Sequence, residues 1–204
     1  FQGAGIPTAP FAYYFSAQGL DYIADDIGRR FSLPVVIKSS AQGSTIGTVI
    51  VSDASDIRAA LDEAFRYGPA IIAEAFLDGE EFTVAVMDDM AMPVIQIVPS
   101  TGRYDYYSKY TPGVTKHLCP APISPELTKK MQDLALQVFH LCQCSGVARV
   151  DIMTNSQGEP FVLEINTVPG MTATSLVPDA AIAMGLSFED LCEKILLEAS
   201  VGKF

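Results

Sequence analysis

A hairpin carrying two carboxylates on one face constrains this chain more than any other feature. Val147 to Met153 and Phe161 to Ile165 each read as a strand, joined by the turn signals Asn155-Ser156-Gln157-Gly158. Side chains alternate faces along a strand, so Arg149, Asp151 and Met153 share one face and Val150 and Ile152 take the other. On the returning strand Glu164 and Asn166 share a face opposite to Leu163 and Ile165. A turn centred near Gln157 sets Asp151 across from Glu164, with Arg149 and Asn166 beside them. Carboxylates about 4 Å apart repel by roughly 4 kcal/mol at an effective dielectric of about 20, so a partly buried pair needs a cation or a shared proton. A solvated sheet face with a surface ion pair would use the same residues. Against it stands the next loop, Thr167-Val168-Pro169-Gly170-Met171-Thr172, which is too apolar for a simple exposed turn. An oxygen-only set (Asp, Glu, Asn) suits magnesium, which keeps waters and substrate phosphates in its remaining positions. Zinc is not expected, because His117 and His140 are the only histidines, neither adjoins the cluster, and His140 falls in a helix as a structural residue.

Composition narrows the partners. Hydrophobic residues make up 49% of the 204 and charged residues 18%, enough for a packed core and against disorder. The net charge of −11 repels a phosphate backbone, so nucleic acid is not an expected partner. An anionic substrate must then be met by a few placed cations and backbone amides. No apolar run reaches the roughly 18 residues of a membrane span, and the first ten residues lack the layout of a signal peptide. The four cysteines, Cys119, Cys142, Cys144 and Cys192, form no metal-ligand pattern and read as buried thiols of a cytoplasmic protein.

The element pattern is α+β with mixed or antiparallel sheets, in two lobes meeting near Leu77 to Glu81. Val35-Val36-Ile37 reads as a buried strand ending in Lys38, and Thr48 to Val51 as another. A helix capped by Ser52 or Asp53 places Ile57, Ala60, Leu61, Ala64 and Phe65 at helical spacing and stops at Gly68-Pro69. Strands follow at Ala70 to Glu74, Phe82 to Met87 and Val94 to Val98, with a turn at Asp88-Asp89. A polar, tyrosine-rich stretch then runs to Pro120, and loops of that length are usually functional or disordered. Ser124-Pro125-Glu126 opens a helix with cap, first-turn proline and acid in order, and Ser187 with Asp190 opens the last one.

Three further segments are candidates for chemistry. Lys38 is followed by Gly43-Ser44-Thr45-Ile46-Gly47, where glycines let backbone amides approach phosphate; a hairpin tip has the same composition, and the order is not that of a Walker loop. Ile71 to Leu77, then Gly79-Glu80-Glu81-Phe82, is either a strand leading to a hinge that offers backbone groups to an adenine edge, or a plain strand and turn. Tyr104-Asp105-Tyr106-Tyr107-Ser108-Lys109-Tyr110 is either core packing or a lid over an anion.

Together these motifs, in this order, resemble the ATP-grasp superfamily and, more closely, the D-alanine–D-alanine ligase family, from Gly3 to Ala199. The resemblance rests on Val36-Ile37-Lys38, Gly43 to Gly47, Glu81-Phe82-Thr83-Val84, Tyr104 to Tyr110, Cys119-Pro120-Ala121, Arg149-Val150-Asp151 and Glu164 to Thr172. It implies an ATP-grasp fold, with a central lobe over residues 1–79 and a carboxy-terminal lobe over 80–204 clasping ATP. By the same resemblance Lys38 contacts ATP phosphates, Glu74 and the backbone of Ala75, Phe76 and Leu77 the adenine, Glu81 the ribose, and Lys109 the terminal phosphate. Asp151, Glu164 and Asn166 hold Mg2+ or Mn2+; Arg149 and the Gly170 amide stabilise the oxyanion. Ser175 and Leu176 receive the carboxylate of the second amino acid, and Ser44 and Tyr110 join lid and substrate pocket. The implied reaction links two D-alanines with ATP, through D-alanyl phosphate, for peptidoglycan precursors.

Departures from the family pattern are Ser39 in place of a proline after Lys38, Ala75 in place of a frequently basic residue, and Ala41 with Gln42. The family's amino-terminal substrate domain, through which members commonly form homodimers, has no counterpart before Phe1; the chain is expected to be a truncated form whose own turnover is in doubt. The alternatives are an ATP-grasp ligase with another amino- or hydroxy-acid acceptor, or a nucleotide-binding module without turnover. A tyrosine at the position of Tyr110 is the family's dipeptide-forming choice, which favours D-alanine.

Overall fold

The computed structural model describes residues 1–43, 45–99, 115–172 and 174–199. Its described residues divide into two compact units: those within 9–77 form one, and residues 1–8 pack with 78–99 and the described residues from Thr115 onward in the other. Every strand pairing is antiparallel among the described residues, which, with the helices, makes the fold α+β.

The first unit contains β1 (Phe11–Phe15), α1 (Leu20–Arg30), β2 (Val35–Ser39), β3 (Thr48–Val51), α2 (Ile57–Phe65) and β4 (Ala70–Ala75). Its sheet has the order β1-β4-β2-β3. Val35 and Ile37 turn inward with Ile71, Ala73 and the helix residues Ile27 and Leu61, forming one dry cluster. Val36 and Lys38, of opposite parity, lie on the other face. Asp53 accepts from the Ser55 amide and caps a 3-10 turn (Ala54–Asp56) that leads into α2, so the expected cap acts one turn before the helix proper. The sequence pattern had not marked β1 or α1.

The second unit contains β5 (Glu81–Met87), β6 (Met90–Ala91), β7 (Ile95–Pro99), β8 (Thr115–Leu118), α3 (Pro125–Leu141), β9 (Val147–Thr154), β10 (Pro160–Asn166), α4 (Leu176–Ala183) and α5 (Phe188–Glu198). The sheet runs β10-β9-β5-β7-β8, with β6 beside β5. One face packs Phe82, Val84, Val150, Ile152 and Val162 against Met131 and Val138 of α3. The other packs Ala85, Met87, Ile95 and Ile97 against Leu176, Val177 and Ala181 of α4. Helices on both faces explain why β5 is buried from Phe82 to Met87 and reads as an almost unbroken apolar run. Asp88 and Asp89, at φ 50 and 60, make the expected turn, but it leads into the short strand β6 rather than directly to the expected strand at Val94 to Val98. Ser124 caps α3 through the Leu127 amide, and Ser187 with Asp190 forms the expected capping box on α5.

β8 falls inside the polar stretch that was expected to be a long loop. Each histidine lies beside a carboxylate: His117 Nδ1 is 2.7 Å from Asp179, and His140 Nε2 is 3.0 Å from Asp89. All four cysteines are free thiols, but none is fully buried as expected: Cys142 is exposed and the other three are half-buried. Burial, with help from nearby Asp179, pushes the Cys119 thiol up to about 11. No helix among the described residues is long and apolar enough to cross a membrane.

Candidate functional site

β9 has a hydrogen-bonded neighbour on each side, and this places the site. Asp151 faces Thr83 of β5 on one side and Glu164 of β10 on the other. One pair further along, Arg149 faces Ala85 and Asn166. Residues directly opposite share a sheet face, so Thr83, Asp151 and Glu164 form one polar row and Arg149 and Asn166 the next, which ends at Ala85 of the dry cluster under α4.

A β-bulge sets that register. Pro160, Phe161 and Val162 pair with Thr154, Met153 and Ile152, and the register then shifts before Glu164. An unbroken ladder would bring Leu163 opposite Asp151 and turn Glu164 to the α3 face. The extra residue re-aims Glu164 toward Asp151. The bulge is held from outside: the Val162 amide donates to the Pro7 carbonyl at 2.8 Å, and Thr8 Oγ1 donates to the Val162 carbonyl at 2.9 Å.

Asp151 is only 8% exposed, and the countercharge demanded by its burial is Arg149. Arg149 Nε donates to Oδ1 at 2.9 Å and Nη2 donates to Oδ2 at 2.8 Å, a bidentate charge-assisted pair. Thr83 Oγ1 donates to Oδ1 at 2.7 Å, and Asn166 Nδ2 donates to Oδ2 at 3.0 Å. A carboxylate offers about four acceptor positions, and all of them are met. Asn166 Nδ2 also donates to Glu164 Oε1 at 3.3 Å, so one amide nitrogen bridges both carboxylates.

The residues fit a hard cation. Two carboxylates and one guanidinium leave a net negative charge, and Glu164, the exposed member, keeps a carboxylate oxygen without a hydrogen bond among the described residues. Carboxylate and amide oxygens are the donors magnesium and manganese take. Asp151 can join such a set only by giving up one of its present donors.

The other sequence candidates divide between the units. In the first, Lys38 and Glu74 come together across β2 and β4 on the face away from the helices, with Nζ and Oε1 2.6 Å apart. The Ala75 amide donates to the Pro10 carbonyl, while Phe76 and Leu77 lie beyond the end of β4. In the second, Glu81 opens β5 opposite Met153, on the face that carries Asp151. Gly170 and Ser175 meet in the loop after β10: a Cβ on Gly170 would lie 2.9 Å from Ser175 Oγ. The Thr172 amide donates to that hydroxyl at 2.9 Å, and Thr172 Oγ1 lies 2.9 Å from it. Leu176 begins α4, so its amide is among the first-turn donors lacking an intrahelical acceptor, while its side chain is buried. Ser44, Lys109 and Tyr110 lie outside the described residues.

Thr83 and Thr172 join the candidate residues only in the folded chain. Thr83 was readable as the polar residue of Glu81-Phe82-Thr83-Val84, sharing parity with Glu81. Thr172 carried no separable signal.

Comparison with known proteins identifies the family. The family model described as D-ala D-ala ligase C-terminus matches residues 1–197. The D-alanine–D-alanine ligase of Syntrophotalea carbinolica is 49% identical over 199 residues, covering 98% of this chain and 63% of that protein. That of Methylacidiphilum infernorum is 44% identical over 196 residues, covering 96% of this chain and 62% of that protein. Among solved structures, the D-Ala:D-Ser ligase VanG of Enterococcus faecalis superposes with a TM-score of 0.83 at 29% identity, over 96% of this chain and 57% of that one. The Bacillus anthracis D-alanine–D-alanine ligase complexed with ATP gives 0.80 at 28% identity, over 97% of this chain and 62% of that one. This chain therefore spans a little under two thirds of the length of curated relatives it matches. With motif order, fold and relatives in agreement, the chain belongs to the D-alanine–D-alanine ligase family and corresponds to its C-terminal portion.

Proposed function

We propose that this chain is the nucleotide- and metal-binding part of an ATP-dependent ligase that joins two D-alanines for peptidoglycan precursor synthesis. The observation that carries the reading is the Arg149–Asp151–Asn166–Glu164 constellation on one sheet face, in a chain whose curated relatives are D-alanine–D-alanine ligases. ATP as the phosphoryl donor is supported by the relative solved with ATP bound.

In this reading the carboxylate of the first D-alanine attacks the terminal phosphorus of ATP, and ADP leaves. The amine of the second then attacks the acyl phosphate, loses a proton and expels phosphate as the peptide bond forms. No covalent bond to the protein is needed, so the residues act by positioning and by charge placement. Magnesium or manganese held by Asp151, Glu164 and Asn166 neutralises phosphate oxygens when bound. Arg149 and the Gly170 amide face the oxyanion of the second step. Ser175 Oγ and the Leu176 amide take the acceptor's carboxylate. Lys38 and Lys109 meet the phosphates, Glu81 the ribose, and Glu74 with the backbone of Ala75, Phe76 and Leu77 the adenine.

Calorimetry of ATP binding to this chain tests the site. Binding is expected to require Mg2+ and to lose that requirement in Glu164→Ala. An identical metal dependence in parent and variant would overturn the assignment. A second reading, D-serine as acceptor, is favoured by the likeness to a D-Ala:D-Ser ligase. Phosphate release by the longer protein with D-alanine, D-serine and D-lactate separates the two.

A further inference from the structure

We propose that Thr83 is a positioning residue for the metal ligand Asp151, holding its carboxylate from inside the sheet in both the metal-free and the metal-bound protein. The inference rests on the metal reading given above.

Thr83 is the polar exception in the buried run of β5: it is 1% exposed, between Phe82 and Val84 at 0% each. A hydroxyl buried that deeply must find an acceptor, and it has one proton to give. Two acceptors are within reach, the Val150 carbonyl at 3.1 Å and Asp151 Oδ1 at 2.7 Å. A threonine that served only to tie β5 to β9 would be satisfied by the carbonyl. The shorter contact is to the carboxylate, at the length of a charge-assisted O–H···O bond.

The three residues that donate to Asp151 are not equivalent. Arg149 and Asn166 are partly accessible and flank Asp151 beside Glu164. Thr83 donates from the opposite, buried strand. A cation that joins Glu164, Asn166 and Asp151 competes with the donors on its own side, where Asn166 turns from amide donor to oxygen ligand. Thr83 does not lie in that path, so its hydrogen bond persists and fixes the plane of the carboxylate. Hydrogen-bond partners of metal-ligating carboxylates typically change metal affinity by about 10- to 100-fold when removed.

The test is titration of this chain with Mn2+, free metal being read by electron paramagnetic resonance. Thr83→Val keeps the shape and removes the hydroxyl; Thr83→Ser keeps the hydroxyl; Asp151→Asn tests the metal reading itself. Hydrogen exchange across β5 and β9 establishes that each variant is folded. Thr83→Val is expected to weaken Mn2+ binding by about 10- to 100-fold, with Thr83→Ser close to the parent. Parent-like affinity in Thr83→Val, while Asp151→Asn loses binding, overturns the positioning role. Equal weakening in the valine and serine variants overturns it as well, because the hydroxyl is then not the cause. Parent-like affinity in Asp151→Asn, or no saturable binding by the parent, overturns the metal reading and this inference with it.

Discussion

Replacing Arg149 by methionine removes the countercharge of Asp151 while keeping most of the apolar stem. The two side chains are 17% and 11% exposed, so the pair is largely out of solvent. Charge centres about 4 Å apart at an effective dielectric of about 20 attract by roughly 4 kcal/mol. Removing one partner of a buried pair typically costs about 3–5 kcal/mol, because the other charge stays buried alone. Thr83 and Asn166 still donate to Asp151, which places the expected loss toward the lower end of that range. At about 1.4 kcal/mol per factor of ten, local protection should fall by between two and three powers of ten. Amide hydrogen exchange is the suitable assay, since peptides covering residues 147–166 report on this sheet without assuming that two units unfold together. Arg149 makes a further interaction besides the one with Asp151, so the single variant alone does not isolate the pair. The double variant Arg149→Met with Asp151→Asn does: if the cost is an uncompensated charge, neutralising Asp151 should restore most of the protection. Losses that simply add, or a single-variant drop of less than about tenfold, would refute the reasoning and class the pair with screened surface bridges.

Two other outcomes are expected. Burial and the 2.8 Å hydrogen bond to Asp26 raise the Tyr14 phenol above its ordinary 10.0, so its contribution is complete below the unfolded value and is lost as pH rises toward the folded one. Urea unfolding should show the parent's advantage over Tyr14→Phe shrinking by about 1 kcal/mol from pH 10 to 11, and a difference that stays flat would sink this account. A Cβ on Gly79 would overlap the Thr154 carbonyl and hydroxyl, where the Gly79 amide donates to that carbonyl at 3.1 Å. Gly79→Ala should therefore cost about 1–3 kcal/mol, seen as lost protection at residues 78–81 and 154 with the first unit unchanged; full protection would show that the approach is not limiting.

What was legible in the sequence was local. Ser124-Pro125-Glu126 and Ser187 with Asp190 announce helix starts, because a cap is satisfied within a single turn. The faces of β9 follow from a period of two, and the acidic pair from the residues themselves. Elements whose patterns blend into their surroundings went unread. In β1 all five residues are aromatic or alanine, so nothing in the sequence says that Tyr14 alone is buried. In β8 the partly buried residues are Thr115 and His117, which carry no apolar signal.

The sequence by itself determined the family, the α+β class and which residue types the site must use, since motif order, alternation and charge are properties of the chain. Only the tertiary structure decided how Asp151 is held. The bulge at Leu163 brings Glu164 to the correct face, and it is anchored by Pro7 and Thr8, far away in sequence. Thr83 reaches Asp151 because β5 happens to be the neighbour of β9, a pairing across 68 residues. A buried carboxylate requires donors for physical reasons that the sequence states; which donors arrive depends on strand order and register, and those are set by how the whole sheet packs.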